Sequence, residues 1–389
     1  MTIDTSTIDD DLPALVALRH DLHRHPELGL EEVRTSEIVA RELADAGWRV
    51  TRGLGKTGLV ATLANGHGRR SLGLRADMDA LPIIEETGLS YRSRTPGLMH
   101  ACGHDGHTTM LLGAARALAR RRAFDGTIHL IFQPAEENFG GARLMIEDGL
   151  FRRFPCDGVF ALHNTPDLPL GMFGIRPGPI MAAVDEATIT IEGRGGHSAT
   201  PQDTADPIVT ASSLVMALQT IIARNVDPRT PAVVSVCALH AGSASNIIPS
   251  RASMVLTIRS LDPTVRDTLE TRITALAKAQ AESFGTTAMI AYERSYPATI
   301  NHVSETTQLR EAAVAFAGDD HISDLAEPCM GSEDFAYMLE EEPGSYFFFG
   351  AGDSRHTARL HQPTYDFNDA ALPIGAAFWV NFAERFLDN

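Results

Sequence analysis

The sequence has little cysteine, a deficit of positive charge and no long apolar run. Cys102, Cys156, Cys237 and Cys329 are too few and too scattered over 389 residues to form a disulfide framework. Lysine and arginine total 33 against 50 aspartates and glutamates, a formal net charge of -17. A chain so acidic repels phosphate backbones and anionic lipid, which argues against nucleic acid and membrane surfaces as partners. No uninterrupted apolar run approaches the roughly 18 residues that a bilayer-spanning helix needs. The opening MTIDTSTIDD carries neither the basic nor the apolar part of a signal peptide. A reduced, cytoplasmic protein is the expectation; an acidic export product that has lost its leader is the alternative. Internal repeats and low-complexity stretches are also lacking.

What is there is ordinary in bulk: 44 % hydrophobic and 21 % charged residues, in a length that suits about two domains. Strand and helix patterns alternate in the first half. Residues 12–24, 33–46, 108–121 and 140–147 read as helices, and 58–63, 71–74, 126–132 and 159–162 as strands. Such alternation predicts an α/β fold, a sheet with helices on its faces. The middle reads differently. Strands at 186–192, 232–239, 252–259 and 288–292 and helices at 206–223 and 264–284, the latter with Pro263 at its start, give the order βαββαβ. That is the split unit of ferredoxin-like domains, a complete fold that can be an insertion. The α/β pattern then returns with a helix at 306–317, a strand at 345–349 and a closing helix at 371–386. The expected organisation is a discontinuous domain, 1–184 with 298–389, interrupted by an α+β domain at 185–297.

Chemistry-bearing residues gather near strand ends. Cys102 and His104 lie in GLMHACGHDGH, Glu136 and Glu137 follow the strand 126–132 and Pro134, and His163 follows the strand 159–162. His361 lies in HQPTYDFND, after the strand 345–349. Residues at the carboxyl ends of neighbouring strands meet in one crevice of an open α/β sheet. Cysteine with histidine suits zinc, while imidazole and carboxylate also accept manganese, cobalt or nickel. Adjacent residues in extended chain point opposite ways, so one carboxylate of the Glu136–Glu137 pair can bind metal while the other faces an attacking water. Asp77 and Asp79, in RADMDALP, sit where a carboxylate can hydrogen-bond a ligand imidazole. Each group also has an ordinary reading: an inert buried thiol, a solvated acidic turn, structural histidines, a tight GRGG turn before His197, a salt-bridged Arg259. His100 and His107 stay open.

Taken together, RHDLHRHPELGLEE, LRADMDALPI, MHACGHDGHTTMLLGAA, IFQPAEE, ALHN, GRGGHSATPQ, NIIP, GSEDFAYM and LHQPTYDFND resemble the M20 metallopeptidase family. They are most similar to its aminoacylase-like amidohydrolase branch, which holds hippurate hydrolases, indole-acetyl-amino-acid hydrolases and other N-acyl-L-amino acid amidohydrolases. The resemblance implies a mixed-sheet, zinc-peptidase-like catalytic domain with an inserted ferredoxin-like lid and dimerisation domain. It implies two divalent metal ions per subunit, Mn²⁺, Zn²⁺, Co²⁺ or Ni²⁺, held by Cys102, His104, Glu137, His163 and His361. Glu136 would be the general acid/base, and His197 would polarise the scissile carbonyl, within its own subunit or across a homodimer or homotetramer. Asn246 and Arg259 would hold the substrate carboxylate. Where most of the family has His-x-Asp and a bridging Asp, this chain has Asp77-Met-Asp79 and Cys102, so Asp77 is not counted as a ligand. The implied reaction is hydrolysis of N-acyl (acetyl, benzoyl, indole-acetyl or similar) L-amino acids through a metal-activated water. A deacetylase of the N-acetyl-diaminopimelate type and a dipeptidase are the nearest alternatives. A thiol amidase using Cys102 with His104, or a metal-binding protein without catalysis, are remoter ones.

Overall fold

Eight strands form a mixed sheet in the computed structural model, which describes residues 3–388. Across the sheet they run Arg49–Leu54, Gly58–Asn65, Gly126–Gln133, Ser71–Asp77, Gly158–Pro169, Gly344–Gly352, Phe173–Ile175 and Ile322–Asp324. The four consecutive strands from Gly126–Gln133 to Gly344–Gly352 are mutually parallel, so their carboxyl ends share one edge. They are apolar on both faces, as strands covered by helices on each side must be: Leu72, Leu74, Ile128, Leu130, Phe132, Val159, Phe160 and Phe347 are fully buried. The helices Leu12–Arg24, His104–Arg121 and Ala371–Leu387 meet closely at Gly113. A Cβ on Gly113 would lie 2.9 Å from Leu15 and 3.0 Å from Ala376.

These elements belong to one unit, comprising residues up to Ile180, Ile300–Glu327 and those from Asp334. The second unit comprises Met181–Thr299 and Pro328–Glu333. Its four-stranded antiparallel sheet runs Ala232–Ala241, Arg251–Ser260, Ala183–Glu192, Thr287–Arg294. In chain order that is 2-3-1-4, the ferredoxin-like arrangement. Ile189, Met254 and Leu256 from the sheet pack with Leu214, Leu218, Leu269 and Ile273 from the helices Pro207–Asn225 and Pro263–Ser283. Both helices begin with an aspartate cap followed by proline: Asp206 accepts from the Ile208 N–H and Asp262 from the Thr264 N–H. This is the favoured helix-start chemistry.

Two differences from the sequence reading matter. The helix expected from residue 108 begins at His104, because Gly103 takes a left-handed conformation (φ 86°) that turns the chain into it. The strand expected to stop at 162 runs on to Pro169, because its neighbour Gly344–Gly352 keeps pairing beyond Leu162; His163 is therefore inside a strand, opposite Phe348. The short strands Arg49–Leu54, Phe173–Ile175 and Ile322–Asp324 have no apolar run to announce them. Among the described residues one helix, Pro207–Asn225, is long and apolar enough on average to span a membrane, although polar residues interrupt it. About a third of its most apolar stretch is buried, against the sheet of the second unit.

His129 tests how tightly the first sheet is packed. It is 5 % exposed, and its Nδ1 lies 2.9 Å from the Thr62 hydroxyl. Burial, with the Arg49 charge, lowers its pKa to about 4 from an unfolded value of 6.5. A depressed histidine supplies stability above the unfolded value that is lost as pH falls through the folded one. Between pH 6.5 and 4 the wild type should therefore lose on the order of 2 kcal/mol more stability than His129→Asn. Urea midpoints across that range measure it, and parallel curves for the two proteins would contradict the assignment.

Candidate metal centre

The shared edge of the four parallel strands collects the chemistry. After the strand ending at Gln133, the chain turns at Ala135 in a left-handed conformation (φ 52°) and presents Glu136 and Glu137. His163 projects from the next-but-one strand, and His104 opens the helix after Gly103. His361 is itself left-handed (φ 65°), and its N–H donates to the Ala101 carbonyl at 2.8 Å, tying its loop to that of Cys102. Non-glycine residues seldom take this conformation, and where they do the strain is commonly part of a functional site.

Cys102 Sγ lies 3.3 Å from His163 Nε2, and His361 Nε2 lies 3.2 Å from Glu137 Oε1. Two groups of ligand atoms, each within 4.8 Å of one another, share the thiol: Cys102–His104–His163 and Cys102–Glu137–His361. A third such group joins His104, Glu136 and Glu137. The five expected metal-binding side chains and Glu136 are thus brought together.

Hydrogen bonds aim the donors. His104 Nδ1 donates to the Asp79 carbonyl at 2.9 Å, and His163 Nδ1 to the Asn164 carbonyl at 2.7 Å. Each ring then keeps its Nε2 lone pair for the centre, the arrangement that orients metal-binding histidines. His104 Nε2 and Glu137 Oε1 are buried with no hydrogen-bond partner. Leaving such atoms unsatisfied costs roughly 1–3 kcal/mol each, more where charge is involved. Electrostatics point the same way. Burial alone would lower the pKa of His104, yet the charges of Asp77, Asp79 and Glu137 hold it up at about 10. A field that binds a proton so firmly favours a cation in its place. Burial and the charges of Glu137, Glu136 and Asp77 push the Cys102 thiol well up, so the surroundings alone do not make it a nucleophile. A divalent cation fits this donor set: it would pair the buried carboxylate and thiol and satisfy the orphaned atoms.

His104 Nδ1 also lies 3.2 Å from Asp79 Oδ1, and Asp79 Oδ2 accepts the Glu137 N–H at 3.0 Å. Asp77 serves a different ring. Its Oδ1 accepts from His107 and its Oδ2 from Arg75, both at 2.6 Å, which leaves His104 Nε2 3.8 Å away. Burial opposes the charge, but His104, His107 and Arg75 hold the Asp77 carboxyl well below the usual range. Asn164 and Tyr365 were missed by sequence reasoning; Asn164 donates to the Cys102 carbonyl and accepts from the Tyr365 hydroxyl. The one available signal was the position of Asn164 directly after His163.

His197, Asn246 and Arg259 lie in the second unit. His197 is exposed on the short strand Gly196–His197, which pairs with Ile247–Ile248, and the Ser198 N–H donates to the Asn246 carbonyl at 3.2 Å. His197 and Asn246 are therefore neighbours. Arg259 is on the strand Arg251–Ser260, with Nη1 donating to the Met330 carbonyl at 2.8 Å.

Gly103 tests the assembly of the centre. A Cβ there would lie 2.4 Å from Asn164 Nδ2 and 2.7 Å from the Tyr365 hydroxyl. Gly103→Ala should cost roughly 1–3 kcal/mol for the backbone conformation alone, with further loss from the clash. It should lower the melting temperature and the metal content of the purified protein together. A variant with wild-type values for both would show that this turn does not set the site.

The profile of Peptidase family M20/M25/M40 matches residues 73–385. Over 370 residues the chain is 41 % identical to a hippurate hydrolase of Campylobacter jejuni, covering 95 % of this chain and 96 % of that one. It is 39 % identical over 388 residues to an N-acetyl-L-cysteine deacetylase of Bacillus subtilis, covering 100 % and 91 % of the two. The fold superposes with a TM-score of 0.86 on the Bacillus subtilis YXEP protein, a dinuclear metal-binding peptidase of the M20 family, at 32 % identity over 98 % of this chain and 99 % of that one. With its fold and its cluster of buried donors, the chain belongs to peptidase family M20/M25/M40 and is a metal-dependent hydrolase of amide bonds.

Proposed function

We propose that the protein hydrolyses N-acyl-L-amino acids to a carboxylic acid and a free amino acid. Relatives named hippurate hydrolase and N-acetyl-L-cysteine deacetylase support acyl groups from acetyl to aromatic ones. The observation that carries the reading is the pair of ligand groups sharing Cys102, with a carboxylate beyond the five donors beside them. Cys102, His104, Glu137, His163 and His361 hold two divalent ions, and Mn²⁺, Zn²⁺, Co²⁺ and Ni²⁺ all suit such donors. When bound, the ions lower the pKa of water and polarise the scissile carbonyl. Glu136 takes the proton from the attacking water and returns it to the leaving amine. His197 donates to the oxygen on which negative charge develops. Asn246 and Arg259 hold the substrate carboxylate.

The discontinuous unit is the catalytic domain in this reading, and the ferredoxin-like unit is a lid that also forms a homodimer, or a homotetramer. Support for pairing comes from the strand Ala232–Ala241 at the edge of its sheet and from the exposed Ile208, Val209 and Met216 on Pro207–Asn225. A cytoplasmic location suits an acidic chain with free cysteines. A thiol amidase is disfavoured: Cys102 approaches His163 rather than His104, and its surroundings oppose ionisation.

Glu136→Gln should retain wild-type metal content while turnover falls about 10²–10⁴-fold. Amine release from a panel of acetyl, benzoyl and indole-acetyl amino acids, dipeptides and N-acetyl-diaminopimelate measures it. Stripping with EDTA should abolish turnover, and reloading should restore it. Undiminished turnover after verified stripping would overturn the metal mechanism in favour of Cys102 as nucleophile. His197→Ala should lower kcat about 10²–10³-fold if it stabilises the oxyanion; an effect confined to KM would reassign it to binding.

A further inference from the structure

His107, left without a task by the sequence and unused in the mechanism above, is buried one turn beyond His104 in the helix His104–Arg121. Neither of its ring nitrogens is available to a ligand. Nδ1 is 2.6 Å from Asp77 Oδ1. Nε2 faces two donors, the Asn164 backbone N–H at 3.0 Å and the Asn164 side-chain amide at 2.9 Å. Two donors require an acceptor, so Nε2 carries no hydrogen and Nδ1 donates to Asp77. Although Asp77, His104 and His107 lie near enough to suggest a further cation, both nitrogens of the His107 ring are already engaged, so His107 belongs to a hydrogen-bonded assembly with Asp77 and Asn164.

Both ends of this assembly lead to something fixed. Behind Asp77, Arg75 is fully buried and donates through Nη1 to Asp77 and through Nε to Gln133 Oε1 at 2.8 Å. In front of His107, Asn164 donates its side-chain amide to the Cys102 carbonyl at 2.7 Å. Its own carbonyl accepts from His163 Nδ1 at 2.7 Å. The run Arg75–Asp77–His107–Asn164 thus ends on Cys102 and His163 at once, the two side chains whose Sγ and Nε2 stand 3.3 Å apart. The other ligand group is built differently. His361 has a side chain 52 % exposed, and among the described residues its Nδ1 makes no hydrogen bond.

We propose that His107 is a positioning residue for the buried ligand group Cys102–His104–His163, and that the two metal positions are held unequally, the buried one tightly and the one at His361 loosely. This rests on the ligand assignment made under Proposed function. His107 transmits the rigid Arg75–Asp77 pair to Asn164, which sets the Cys102 loop and the His163 ring together. Partners that orient metal-binding side chains in this way typically change metal affinity about 10–100-fold when removed.

The test is titration of the EDTA-stripped, full-length protein with Co²⁺, followed by calorimetry and by the visible bands of thiolate-bound cobalt. The wild type should take up two equivalents of distinct affinity. His107→Ala should weaken the tighter one about 10–100-fold and shift the thiolate-to-cobalt band, with a much smaller effect on the weaker one, which shares only Cys102 with it. His107→Gln, whose amide can accept from Asn164 and donate to Asp77, should recover most of the affinity and the band. Should the Ala variant not fold, His107→Asn replaces it: it keeps a donor toward Asp77 but falls short of Asn164, and is expected to behave like Ala. Melting curves of the stripped proteins separate folding from binding. Wild-type affinities and spectra in the Ala or Asn variant, or equal weakening of both equivalents, would overturn the proposal and leave the ligand assignment standing. A wild type that binds no Co²⁺ would overturn the ligand assignment itself, and the proposal with it.

Discussion

Burial of negative charge is the constraint on which the centre depends. Asp77, Asp79 and Glu136 are almost completely removed from solvent, Glu137 nearly so, and the Cys102 thiol lies among them. Charges in such surroundings interact far more strongly than in water, and an unpaired one costs several kcal/mol. The fold answers part of this with its own cations and donors. Arg75 and His107 satisfy the Asp77 carboxylate, and the Glu137 N–H and the His104 ring satisfy that of Asp79. What it leaves is specific: His104 Nε2 and Glu137 Oε1, buried and without a hydrogen bond, the latter faced by the His361 ring, beside the thiol. Stabilising the apo form fully would have required filling those positions. Leaving them open produces a site whose best partner is a cation.

The backbone geometry follows from the same demand. Glu136 and Glu137 must leave a strand end and present carboxylates at short range, and the left-handed turn at Ala135 achieves this. Gly103 turns Cys102 and His104 past Asn164 where no Cβ fits. His361 reaches Glu137 from a left-handed position. Three strained or side-chain-free turns therefore surround one group of ligand atoms, while the strands behind them are regular and apolar. A rigid sheet carrying strained loops is how precise positions are obtained from mobile parts.

The second unit has a hydrophobic core of its own. Its core closes between one face of a four-stranded sheet and two capped helices. That core lies wholly within the segment Met181–Thr299, to which the unit adds Pro328–Glu333. The apolar residues left exposed on Pro207–Asn225 mark the face where its own core stops.

Much of the architecture was legible in the sequence because it rests on local physics. Apolar periodicity placed the long helices within a few residues, the Pro263 start was met by an Asp262 cap, and the order βαββαβ implied the ferredoxin-like sheet before any pairing was known. The residue types at Cys102, His104, Glu136, Glu137, His163 and His361 announced metal chemistry. Only the tertiary structure decided which of these atoms approach, which nitrogen of each ring is free, and that Asp79 holds His104 while Asp77 holds His107. The short strands without apolar runs and the continuation of the strand through His163 were equally invisible, because partners supplied by distant segments create them. Sequence spacing carries the period of a helix or strand; hydrogen-bond direction across 57 residues, as between His107 and Asn164, exists only once the sheet has brought the ends together.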